Sequence, residues 1–190
     1  MPADLPDREP ALWAAATRAP FLDGVRDGTL PVAALDAWLP QDALFVADLL
    51  AFQSRLVARA PRPAQAVLAG GVVALVDELD WFDGLARDRG LDLDVGPLPP
   101  TRAYAELLGR LDQAPYVDAV AARWVVERVY LDAWSSAQPG AEQHRELVEH
   151  WTAAPFADYV GALEHLSSGP ADEDLLRSVL EHEAAFWPVP

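Results

Sequence analysis

Cysteine and lysine are both missing from this sequence of 190 residues. Without cysteine the chain can form no disulfide, no zinc–thiolate site and no thiol nucleophile. All 14 basic residues are Arg, so a Schiff base or a lysine nucleophile is also excluded. No Gly-x-Ser-x-Gly sequence occurs either, which leaves the nucleophile elbow of the serine hydrolases without support.

Positive charge is scarce, because 30 acidic residues face 14 basic ones and the net charge is −16. Such a surface repels phosphate backbones and anionic lipids, so we expect neither a nucleic-acid partner nor a membrane partner. No apolar run approaches the roughly 18 residues of a membrane span. The first 13 residues are acidic and rich in Pro, unlike a signal peptide, and a cytoplasmic protein is expected.

Strand patterns are also missing, whereas apolar residues recur at helical spacing along the whole chain. Clusters of Gly and Pro divide it into about eight helices. The pattern predicts an all-α helical bundle that forms a single domain over residues 1–190. The helices are predicted at about 9–19, from an N-cap at Thr29 to 60, 63–89, from 101 for three turns, 115–137, 140–152, 155–167 and 171–187.

What the sequence does contain is a set of carboxylates on aromatic helix faces, in four clusters. They are Gln41–Asp42 with Phe45; Asp77, Glu78 and Asp80 with Trp81 and Phe82; Glu127 with Tyr130 and Trp134; and Glu183 with Phe186 and Trp187. Each cluster by itself is typical of a solvated boundary residue. Four clusters of the same chemistry instead favour a partly dry pocket between helices, where carboxylates exchange protons with a flat heteroaromatic ligand.

A carboxylate-bridged metal site is the rival interpretation, and it normally uses Glu-x-x-His pairs. The residues three positions before the four histidines are Ala141, Leu147, Ala162 and Val179, and none is acidic. We therefore expect no metal and no cofactor. Spacing alone leaves haem ligation by one histidine open, although a lone histidine on a surface helix is the more common situation.

The stretch "APFLDGVRDGTLPVAALDAWLPQDALF" resembles the N-terminal signature of the TenA / thiaminase II family, and "EHEAAFW" resembles its C-terminal motif. The segments "GGVVALVDELDWF" and "WVVERVY" are similar to a branch of that family without the active-site cysteine. The resemblance extends from about Leu12 to Trp187. It implies a haem-oxygenase-like fold that needs no haem, and a pocket for the aminopyrimidine half of thiamin.

The resemblance also implies roles for individual residues. Asp42 would hydrogen-bond the aminopyrimidine edge, and Glu183 would contact the ring nitrogen as acid and base. Glu127 matches the glutamate of the cysteine-less branch, and Tyr104 matches a pocket tyrosine. Aromatic rings would enclose the flat substrate, and an acid would activate water or hold the leaving ammonium. The rings are Phe45, Trp81, Tyr130 and Trp134, and the acid is Glu127 or the Asp77/Glu78 pair.

Three positions depart from the family pattern. Phe45 replaces a tyrosine, Ala122 occupies the position of the nucleophile, and the tyrosine expected after Trp151 falls near Pro155. Covalent thiaminase chemistry is thereby disfavoured.

The expected function is non-covalent hydrolysis of 4-amino-5-aminomethyl-2-methylpyrimidine or its N-formyl form in pyrimidine salvage, by a homo-oligomer (dimer or tetramer). The alternative is a non-catalytic aminopyrimidine-binding or regulatory protein. A third possibility is a pocket retuned for another heteroaromatic compound or a metal. A role in transcription has no support, because a charge of −16 opposes contact with DNA.

Overall fold

The computed structural model describes residues 1–187, and helices account for nearly all of their regular structure. Within that range no strand forms, which confirms the predicted all-α class. Two short 3₁₀ helices cover Pro2–Asp4 and Glu142–His144. The α-helices are α1 (Leu5–Arg8), α2 (Pro10–Thr17), α3 (Pro20–Asp27), α4 (Val32–Arg59), α5 (Arg62–Arg89), α6 (Pro99–Gln113), α7 (Tyr116–Ser136), α8 (Arg145–Trp151), α9 (Ala154–Leu166) and α10 (Glu173–Phe186).

Two details of the predicted helix pattern are wrong at the N-terminal end. Helix α3 was not predicted, although Pro20 opens it and the buried residues Phe21 and Val25 lie one turn apart on it. Helix α4 begins at Val32, three residues after Thr29, so Thr29 cannot be its N-cap. The turn that precedes α4 was predicted as the beginning of that helix.

Glycines permit the tight turn between α3 and α4. Gly28 ends α3 with φ +74°, and a Cβ there would lie 2.9 Å from the side-chain nitrogen of Gln143. Gly24 lies inside α3, where an added Cβ would come within 3.0 Å of the Cβ of Leu30. A larger residue at either position would therefore push the turn away from its neighbours.

The chain divides into two compact units, which are described separately. The α4–α6 unit comprises residues 32–119, and in it α4 packs against both α5 and α6. Hydrogen bonds from polar side chains join α4 to α5. Arg89 donates to Asp36 at 2.8 Å, and the buried Gln53 donates to the carbonyl of Leu68 at 2.8 Å. That the whole chain is one domain stays a prediction.

The terminal unit comprises residues 1–31 together with residues 120–187. In it α2 packs against α10, and the indole N–H of Trp187 donates to the carbonyl of Ala16 at 2.6 Å. Two exposed ion pairs join the same segments, Arg8 with Glu173 and Arg177 with Glu9. The first and last helices of this unit therefore support each other, although they are far apart in sequence.

Helices α4 and α5 are the longest, with 28 residues each. Like the other helices within residues 1–187, they are not apolar enough over a sufficient length to cross a membrane.

Candidate functional site

A buried ion pair lies on α7, in the terminal unit. Residues 120–127 are all buried, and most of the residues around Arg123 and Glu127 in this stretch are Val or Ala. Arg123 is 0% exposed and donates through one terminal nitrogen to Oε1 of Glu127, one turn along the helix. Within residues 1–187 no donor is paired with Oε2 of Glu127. One oxygen of this carboxylate is thus held and the other remains able to accept a hydrogen bond.

Helix α9 supplies the second contact of the arginine. The guanidinium of Arg123 lies 5.8 Å from the centre of the Tyr159 ring, within the range of a cation–π interaction. The family pattern places a tyrosine after Trp151, at a position that falls near Pro155 in this chain. Tyr159 lies four residues beyond Pro155. Neither Arg123 nor Tyr159 was predicted as a site residue.

Trp124, next to Arg123, is also buried, and it lies three residues before Glu127 on α7. Its indole N–H has no hydrogen-bond partner among the described residues. Buried donors are nearly always paired in folded proteins, by protein atoms or by a bound water or ligand. An unpaired donor beside a carboxylate on the same helix face is therefore compatible with a binding site.

Aromatic rings form a continuous cluster on α7, α8, α9 and the end of α10. Tyr130 stacks on Trp187, with ring centres 6.3 Å apart and an angle of 23°. Trp134 lies 4.2 Å from Trp151 and 6.1 Å from Trp187, and Tyr130 also meets the edge of Phe156. Trp134 is 0% exposed, so its contacts are with protein rings, and its role as a substrate wall stays a prediction.

Glu183 lies on α10, near the end of that helix. It is 4% exposed and lies one helical turn before Trp187. Glu127 likewise lies one turn before Tyr130, the ring that stacks on Trp187. The two predicted catalytic glutamates are thus each one turn away from the same pair of stacked rings, on two helices of one unit.

Asp42 belongs to the α4–α6 unit and is 0% exposed. Phe45 follows it by one turn, and its ring lies 4.6 Å from that of Tyr104 on α6. Three of the predicted residues therefore lie on the neighbouring helices α4 and α6. That Asp42 and Glu183 contact one substrate stays a prediction.

Gln41, the other residue of the Gln-Asp motif, forms hydrogen bonds at both ends of its amide. Its carbonyl oxygen accepts from the backbone N–H of Leu98 at 2.8 Å and from the hydroxyl of Thr101 at 2.7 Å. Its amide nitrogen donates to the carbonyl of Gly96 at 3.2 Å. The side chain of Gln41 thus fixes the segment that enters α6, one turn before Tyr104.

The acidic cluster on α5 is more exposed than the others. Asp77 and Asp80 are exposed, which agrees with solvated boundary residues, and Glu78 and Trp81 are half-buried. The ring of Trp81 meets the buried Phe82 edge-on at 5.2 Å. Roles for Asp77, Glu78 and Trp81 in a site stay predictions.

The histidines differ from the expected pattern at one position. His144 is 2% exposed, so it is not a surface residue, and it ends the 3₁₀ turn that leads into α8. His165 is exposed and its Nδ1 lies 2.7 Å from the carbonyl of Gly161. Among residues 1–187 no three His, Asp or Glu side chains gather as a metal site would require.

The fold of the chain is similar to that of several solved structures. The structure is similar to that of a TenA homologue from Pyrococcus furiosus, with a TM-score of 0.92 and 21% identity over 98% of both chains. It is also similar to a protein described as a TenA-like thiaminase from Sulfolobus solfataricus, with a TM-score of 0.81 and 18% identity over 93% of this chain and 88% of that one. These structures define the class as an all-α protein of the haem-oxygenase-like fold.

Sequence comparison identifies the family. The chain is 33% identical to a protein from Glycine max described as a bifunctional TENA-E protein, over 93% of this chain and 86% of the other. The model of the TENA/THI-4/PQQC family matches residues 8–189. The chain therefore belongs to the TENA/THI-4/PQQC family, and the predicted family resemblance is confirmed.

Proposed function

We propose that the protein is a hydrolase of thiamin metabolism that releases ammonia from 4-amino-5-aminomethyl-2-methylpyrimidine, or formate from its N-formyl form, without a covalent intermediate. Family membership and the relatives described as a TENA-E protein and a thiaminase support the general activity. One observation carries the specific proposal. The three predicted catalytic carboxylates are all buried, at 0%, 8% and 4% exposure for Asp42, Glu127 and Glu183, in a chain without cysteine.

Recognition of the substrate rests on Asp42 in this proposal. An aminopyrimidine presents an amino donor beside a ring nitrogen, and a carboxylate can accept from the amino group and from a protonated nitrogen. Glu183 would exchange a proton with a ring nitrogen. A protonated ring withdraws electrons from the exocyclic methylene carbon and weakens its bond to the amine.

Glu127 is the better candidate for activating water than the Asp77/Glu78 pair, because it is buried whereas Asp77 is exposed. Its oxygen Oε2 would take a proton from water as the water oxygen bonds to the methylene carbon. The carbon–nitrogen bond of the protonated aminomethyl group breaks, its electron pair stays on nitrogen, and ammonia leaves. The products are the hydroxymethylpyrimidine and ammonia.

The first test is ammonia release from the aminomethylpyrimidine by the purified protein, with thiamin as the comparison substrate. Glu183→Gln should lower kcat by about 100-fold or more, because the amide cannot exchange the proton. The matched control is Glu181→Gln, two residues earlier on α10 and exposed, which should retain the full rate. Equal rates for the two variants would contradict the role of Glu183.

A binding protein without turnover is the second candidate. The buried Ala122 at the nucleophile position and Phe45 in place of a tyrosine favour it. Calorimetry that shows binding of the aminopyrimidine, in a protein that releases neither ammonia nor formate, would select this candidate over the enzyme.

A further inference from the structure

We propose that Arg123 is a positioning residue that holds one oxygen of Glu127 and directs the other, Oε2, toward the attacking water. This inference rests on the function proposed above. It assigns a role to a residue that acts on the reaction through Glu127 rather than on the substrate itself.

The first support is burial. Arg123 is 0% exposed, and a charge in such surroundings is costly unless it is paired. A pair of hydrophobic side chains of similar size is often at least as stable as a buried ion pair. The pair is therefore a poor device for stability alone, which favours a role for the charges themselves.

The second support is the fixed geometry of the arginine. Glu127 binds it from one turn along α7, and the ring of Tyr159 on α9 lies 5.8 Å from the guanidinium. A side chain held from two helices has little rotational freedom. Because Arg123 is fixed, the carboxylate that it binds is fixed as well.

The third support is the asymmetry of the carboxylate. Oε1 is bound by Arg123, whereas no described residue pairs with Oε2, and the side chain of Glu127 keeps 10% exposure. A general base must present a lone pair in a defined direction. With Oε1 occupied, Oε2 is the oxygen that takes the proton of the water.

Helix α7 also provides a matched control. Arg128 donates to Asp132 at 3.0 Å with the same four-residue spacing, but the two side chains are 39% and 29% exposed. The two pairs share helix, spacing and chemistry and differ in burial. Removing the arginine of each pair therefore separates a general effect of lost ion pairs from an effect at Glu127.

The experiment measures kcat, KM and the melting temperature for the full chain and five variants, with the aminomethylpyrimidine as substrate. The variants are Arg123→Met, Arg123→Lys, Glu127→Gln, the double variant Arg123→Met/Glu127→Gln, and Arg128→Met. Arg123→Met should lower kcat by about 100-fold with KM nearly unchanged, and the double variant should be no slower than Glu127→Gln. Arg123→Lys should recover at least part of that loss, and Arg128→Met should keep the full rate.

Three results would overturn the inference. Folded Arg123→Met could retain kcat within about threefold of the unchanged protein, the losses of Arg123→Met and Glu127→Gln could multiply in the double variant, or Arg128→Met could be equally slow. If Arg123→Met does not fold, Arg123→Gln, alone and combined with Glu127→Gln, replaces it and the double variant under the same criteria.

A protein that binds the hydroxymethylpyrimidine but hydrolyses nothing would refute the proposed function and this role together. The unchanged chain, assayed first, distinguishes that outcome from a failure of Arg123 alone.

Discussion

Two buried polar side chains, Gln41 and Arg123, are held in contrasting ways. Gln41 in the α4–α6 unit uses both ends of its amide, and its three partners are a loop carbonyl, a backbone N–H and a hydroxyl. Arg123 in the terminal unit binds another charged side chain, whose second oxygen has no partner within residues 1–187. The first arrangement is closed, whereas the second leaves an acceptor for something outside the protein.

This difference separates a structural task from a chemical one. A fully satisfied neutral group fixes a loop at little electrostatic cost. A buried charged pair with one unused oxygen is expensive to build and gives the fold little that apolar packing would not. Burial of a polar group is thus a weak sign of function, and the state of its partners is a stronger one.

The largest effect is expected from Glu127→Leu, which removes the Glu127 carboxylate from the buried guanidinium of Arg123. Breaking one side of a buried pair costs about 3–5 kcal/mol of unfolding free energy. Denaturant unfolding measures the loss. Asp132→Leu, in the exposed pair on the same helix, should cost less than about 1 kcal/mol. Similar losses in the two variants would show that burial does not distinguish the pairs.

Gln41→Leu should have a somewhat smaller effect, of about 2–4 kcal/mol, because it removes hydrogen bonds from Gly96, Leu98 and Thr101. Chemical denaturation again gives the value. Adding Thr101→Val should recover part of the loss, since it removes one of the orphaned groups. A loss no larger than that of Gln113→Leu, at an exposed position on α6, would show that the network is unimportant.

The smallest effect concerns Tyr116 at the start of α7. Burial raises the pKa of its hydroxyl above the ordinary value, and the hydroxyl has no partner among the described residues. The unfolded chain then loses this proton at lower pH than the folded one, so stability falls as pH rises through about 10. Tyr116→Phe should gain up to about 1 kcal/mol at neutral pH and weaken this alkaline decline. Unfolding free energies that change by the same amount in both proteins between pH 7 and 11 would contradict this role of Tyr116.

Much of the helix pattern could be predicted from the sequence because Gly and Pro punctuate it clearly. Helix α5 was predicted over 63–89 and is observed over Arg62–Arg89. Helix α3 escaped prediction because it is only two turns long and contains Gly24, which lowers helix propensity.

Less of the candidate site than of the helix pattern could be predicted from the sequence. The spacing of Arg123 and Glu127 is usual for exposed helix pairs, and only tertiary packing buries it here. Conversely, Asp77 lies in an aromatic segment yet is exposed, and its neighbours Glu78 and Trp81 are only half-buried. Periodicity locates a helix face, but the depth of that face depends on which helices pack around it.

The contact of Trp134 with Trp151 at 4.2 Å and with Trp187 at 6.1 Å has an optical consequence. Indoles this close couple their strong electronic transitions, so the far-ultraviolet circular dichroism of the folded chain should carry an exciton-split band. Any compound that docks beside this trio would perturb that band, and the protein therefore contains a label-free reporter for ligand screening.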